Sequence, residues 1–168
     1  MEIKELLERV MNSRLYKNFN NDDKAYLCSF FKIDGEGEQD EWQVDFYNPE
    51  NDKITSFKEI GNQIRIIGKD SKIFKEKEAK VNELRIDKVK IAPEDAIKAV
   101  DELKKKKYSG EEALRRIVIL QSTKEFKENW NITYLTTSFN ILNVKINAKN
   151  GKVIEESLKP ALTFSKAS

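Results

Sequence analysis

The stretch Trp42-Gln43-Val44-Asp45-Phe46-Tyr47 matches Trp130-Asn131-Ile132-Thr133-Tyr134-Leu135 position for position. At the same spacing Ile54, Ser56 and Lys58 fall on Leu142, Val144 and Ile146, and each copy then meets a turn signal, Gly61-Asn62 or Asn150-Gly151. A repeat of this size predicts one structural unit used twice. In both copies apolar residues alternate with polar ones, the period of a half-buried strand.

Working outward, Ile3, Leu6, Leu7, Val10, Met11 and Leu15 recur at helical spacing and predict a helix over 2–16. Strands are expected at 24–33, 42–47, 53–59 and 62–68, with Asp34 to Asp40 as a hairpin loop. Residues 69–91 are a charged connection with a weak helical patch at 76–84. Pro93, Glu94 and Asp95 then open a second helix, which Lys104 to Lys107 close at its negative end. The apolar run Ile117-Val118-Ile119-Leu120 is a buried strand, and strands at 129–136, 139–147 and 152–157 follow. Asn150-Gly151 is the strongest hairpin signal in the chain. The predicted fold class is α+β: two similar units, residues 1–86 and 87–168, each a helix packed on a small antiparallel sheet.

The run Val144-Lys145-Ile146-Asn147-Ala148-Lys149-Asn150-Gly151-Lys152-Val153-Ile154, with the helix opening Ile91-Ala92-Pro93-Glu94-Asp95-Ala96-Ile97, resembles the PepSY domain, a cystatin-like helix-on-sheet unit. The resemblance covers residues 90–157 and is looser over 1–68, where Glu59-Ile60-Gly61-Asn62-Gln63-Ile64 replaces the closing hairpin. Asn147 stands where that family usually has Asp. The resemblance implies a tandem PepSY-like protein with an inhibitory or protein-binding role and no catalytic residues. PepSY domains occur in peptidase propeptides and cell-envelope proteins.

Composition narrows the function classes. With 168 residues, the chain can bury a core, and 36% charged residues give it a very polar surface. Histidine is absent, which removes the commonest general base and metal ligand, and a zinc site on the single cysteine is excluded in practice. Cys28 lies between Leu27 and Ser29 in an apolar strand, where a buried, inert thiol is expected. No cofactor and no metal are expected, and no enzyme activity. The loop acids Asp34, Glu36, Glu38, Asp40 and Glu41 suit a solvated hairpin tip better than a calcium loop, because Gln39 stands where such a loop needs glycine.

Net charge is +2, with −3 over residues 1–86 and +5 over 87–168. Lys104 to Lys107, with Arg115 and Arg116, form the one dense basic cluster, but no aromatic residues interleave with it, so a nucleic-acid partner is not expected. No apolar run reaches membrane-spanning length, and the start of the chain lacks a secretory core, so a cytoplasmic location is expected unless a signal segment has been removed.

The expected function is a non-enzymatic module that binds an unidentified protein or peptide. Trp42 and Trp130, extended by Tyr26, Phe46, Phe57 and Tyr134, are its candidate partner surface. Facing the core, the tryptophans are packing anchors; at a rim, they mark a partner groove. Open sheet edges offer strand addition or self-association. The alternative is a carrier of a small or lipid-like molecule, with a cavity between helix and sheet.

Overall fold

The computed structural model describes residues 1–38, 40–72 and 80–162. The chain opens with α1 (Glu2–Asn12) and α2 (Arg14–Phe19), followed by β1 (Tyr26–Gly35), β2 (Gln43–Asn48), β3 (Lys53–Ile60) and β4 (Gln63–Lys72). After a short 3-10 turn (Ile86–Lys88) come α3 (Pro93–Lys107), β5 (Ala113–Thr123), β6 (Lys127–Thr136), β7 (Asn140–Asn147) and β8 (Val153–Pro160).

The two-unit α+β expectation is corrected by the sheet. Among the described residues eight strands form one antiparallel sheet in the order β4-β3-β2-β1-β5-β6-β7-β8, with three short helices against it. The fold is therefore one sheet-dominated body, not a tandem of PepSY-like or cystatin-like helix-on-sheet units. The joint is the β1–β5 ladder, which runs from Ser29↔Gln121 to Gly35↔Arg115. Its cause is legible in the residues. Phe30-Phe31 with Ile33, and Ile117 to Leu120, are apolar on both faces, as central strands are. Left as the edges of two units, those runs would expose apolar strand edges, and pairing them removes both edges.

The repeat also fails in its second half. Val44 pairs with Phe57 and Phe46 with Thr55, so Ile54, Ser56 and Lys58 point away from the helices. Their supposed equivalents Leu142, Val144 and Ile146 are fully buried on the helix side. The β2–β3 turn has one residue more than the β6–β7 turn, and a one-residue offset moves every side chain to the other face.

The first helix is shorter than its apolar stripe. Ser13 is extended (φ −69°, ψ 150°) and caps α2 by accepting the Tyr16 N–H at 3.2 Å, which breaks the predicted 2–16 helix in two. In α3, Pro93 takes the first helical position, and Glu94 and Asp95 sit in its first turn. Of the helical patch expected at 76–84, residues 76–79 lie outside the described residues, and 80–84 form no helix.

The helices cover one face only. Ile3, Leu6, Leu7 and Val10 of α1 and Ala96 and Val100 of α3 bury against Phe30, Val44, Phe57, Val118, Leu120, Ile132 and Val144. Alternation sends Ser29, Phe31, Gln43, Asp45, Tyr47, Ile119 and Gln121 to the opposite face, over which no described helix lies. Among the described residues no helix is long and apolar enough to cross a membrane.

Candidate functional site

The face over which no described helix lies carries an open cleft of about 880 Å³. Its floor follows from register. Ser56 pairs with Asp45, Asp45 with Ser29, and Ser29 with Gln121, so four polar residues from β3, β2, β1 and β5 stand in one row across the strands. The neighbouring row brings Gln43, Phe31 and Ile119 side by side. Ile54 and Cys28 complete the apolar part of the lining.

One wall is built by the segment before the 3-10 turn. Tyr26 donates its hydroxyl to Val81 O at 2.5 Å, Asn82 Nδ2 donates to Ser122 O at 3.4 Å, and the Leu84 N–H donates to Leu27 O at 2.8 Å. The chain thus passes between the start of β1 and the end of β5, and Leu84 reaches the core on the helix side with 2% of its surface exposed. Lys80 and Lys124 stand on this wall.

Asp45 is the charged residue of the floor. It is only 7% exposed, and its carboxylate accepts from Ser29 Oγ at 2.8 Å and Gln43 Nε2 at 2.7 Å. Gln43 Nε2 also donates to Ser56 Oγ at 3.2 Å, so Ser56, Gln43, Asp45 and Ser29 form one network, while Gln121 donates to Asn129 Oδ1 at 3.5 Å. Beneath it, Cys28 sits at a bulge in β1 and donates its thiol to Asp45 O at 3.4 Å. Burial, and then the nearby Asp45 charge, push that thiol up to about 12.

The aromatic residues named from the sequence lie elsewhere. Trp42 is 5% exposed, Tyr134 2%, Phe46 1%, and Trp130 and Phe57 are fully buried. All five belong to the core beneath the helices, because each occupies the inward phase of its strand or strand end. Tyr26 is half-buried on the open face, edge-on to Tyr47 with ring centroids 5.5 Å apart. A partner meeting the folded surface reaches Tyr26 and the edge of Trp42 that lines the opening beside α3, but not Trp130. Sequence reasoning missed Asp45, Ser29 and Gln121. Their signal was the polar phase of the same alternation that marked the core, but only long-range pairing brings them together.

Between α3 and the sheet lies an opening of about 430 Å³, lined mainly by charged residues such as Lys32, Lys98, Asp101 and Arg116. The hairpin acids are answered by cations: Asp34 by Arg116, Asp40 by Lys32, and Glu38 by Arg115 at 3.2 Å. In the lysine cluster, Lys104 donates to Glu111 O at 3.0 Å and Lys107 pairs with Glu156 at 2.7 Å.

No family model and no curated protein matches the chain. Its fold is similar to the crystal structure of a "putative lipoprotein" from Clostridium difficile 630. That likeness has a TM-score of 0.55 at 13% identity and covers 86% of this chain and 90% of that one. At this identity the likeness concerns the fold alone.

Proposed function

We propose that the protein is a non-enzymatic binding module that receives an extended peptide on the helix-free face of its sheet, in the cleft above the Ser56–Asp45–Ser29–Gln121 row. The observation that carries this is the 880 Å³ cleft itself, with apolar Phe31, Ile54 and Ile119 beside the side-chain amides of Gln43, Asn82 and Gln121. Such a surface offers apolar contact together with hydrogen-bonding groups for a ligand's backbone. From β3 to β5 the row crosses three strand spacings, about 14 Å, the reach of about four extended residues. Among the described residues the cleft is walled by residues 80–82 and 122–124 and is open rather than enclosed, which suits a peptide better than an enclosed small molecule. A cytoplasmic setting rests on the lone buried thiol, Cys28.

The test is a selection of phage-displayed random heptapeptides on wild-type protein, with Gln121→Trp as the filled-cleft control. Peptides that bind wild type and lose binding to Gln121→Trp support the proposal. Failure to enrich any such peptide, or equal binding to both proteins, refutes it.

A further inference from the structure

We infer that the peptide received in this cleft presents a single basic side chain, an alkylammonium or guanidinium, to Asp45; the inference rests on the binding reading above. A carboxylate that is 7% exposed carries a large desolvation cost unless a cation answers it. By contrast Asp34, on the helix side of the sheet with its side chain 17% exposed, is answered within the chain by Arg116 and Lys32. Asp45 differs: its hydrogen-bond donors are the neutral Ser29 and Gln43, and among the described residues no lysine or arginine pairs with it.

Those two donors use one lone pair on each oxygen, Oδ2 for Ser29 and Oδ1 for Gln43, which leaves further acceptor capacity on both. They also fix the carboxylate in orientation, so a cation arriving from the cleft meets a prepared acceptor. Phe31 and Ile119 in the neighbouring row supply an apolar bed on which the methylenes of a lysine or arginine side chain can lie.

The wall limits the charge to one. Lys80 and Lys124 line the same cleft and repel a second cation, so the matching peptide is basic over Asp45 and neutral or acidic toward the wall. A polybasic segment fits less well than a monobasic one.

The test repeats the heptapeptide selection on wild type and Asp45→Asn in parallel, with urea midpoints confirming that both fold. Wild type is expected to enrich peptides with one Lys or Arg. Those peptides should bind at least about tenfold more weakly to Asp45→Asn, and equally weakly to wild type when norleucine replaces the basic residue. The norleucine arm needs no protein variant. Peptides that are blocked by Gln121→Trp, yet lack a basic residue or bind Asp45→Asn equally, overturn the charge inference and leave the cleft reading standing. If no peptide is sensitive to Gln121→Trp, both fall.

Discussion

Trp42, just ahead of β2, and Trp130, on β6, meet over the middle of the sheet with ring centroids 6.1 Å apart and planes tilted by 56°. Two strands, β1 and β5, lie between the strands that carry them. Trp130 anchors its indole by donating Nε1–H to Ile91 O at 3.1 Å, ahead of α3, while Lys32 lies over the Trp42 ring at 5.3 Å. The pair fills the helix side of the β1–β5 joint, and that joint makes the sheet continuous.

Truncating either ring therefore opens a central cavity. Trp130→Ala is expected to cost about 3–5 kcal/mol in urea unfolding, and Trp130→Phe distinctly less. A Trp42/Trp130 double-mutant cycle should return a coupling of about 0.5–1.5 kcal/mol. Additive single mutants would show that the rings merely adjoin.

Arg116 and Asp34, directly paired across β1 and β5, form a second tie at this joint. Arg116 Nε donates to Asp34 at 2.8 Å, and the partners' side chains are 26% and 17% exposed. Arg116→Met should cost about 1–3 kcal/mol, since it leaves a half-buried carboxylate short of its donor. The exposed Arg9–Glu59 pair provides the contrast: Arg9→Met should cost less than about 1 kcal/mol. Equal losses in denaturant unfolding would contradict this ranking.

Much of this helix-side core can be read from the residues. Pro93 marks the start of α3, Asn150-Gly151 marks the β7–β8 turn, and the alternation of Trp42, Val44 and Phe46 marks the inward phase. The open face resists such reading for a physical reason. Ser29, Asp45 and Gln121 come from three strands, and Gln121 joins the row only through the β1–β5 ladder. Alternation tells which residues share a face of one strand but not which strands adjoin. Nor does it tell that one extra turn residue puts Ser56 opposite Val144 in facing.

Cys28 should be chemically silent in the native protein. It is 6% exposed, and its thiol is pushed up to about 12 by burial and by the Asp45 charge. Iodoacetamide at about pH 8 should alkylate it orders of magnitude more slowly than in urea, because the thiolate is scarce and shielded. Asp45→Asn removes one of the two causes and should speed the reaction. Rapid native alkylation would contradict the burial.

Acid should weaken the end of the fold around the C-terminus of α3. Glu111 is held below its ordinary value of 4.5 by hydrogen bonds from Thr136 and Asn140. Glu156 is held below 4.5 by Lys107, with Tyr108 adding a weaker donor. A depressed carboxylate contributes stability that is full above 4.5 and is lost as pH falls through the lower folded value. Unfolding free energy should therefore drop as pH falls below about 4.5, and the drop should be shallower in Glu111→Gln and Glu156→Gln. A slope unchanged in both variants would show that these bonds form equally in the unfolded chain.

The central claim is that the helix-free face is the binding surface. Hydrogen exchange of the wild-type protein, with and without the tightest selected heptapeptide, tests it most directly. Slowed exchange at residues 28–31, 43–45 and 119–124 is the predicted result. Protection confined to the edge strand β8, or to the helices on the opposite face, would contradict it.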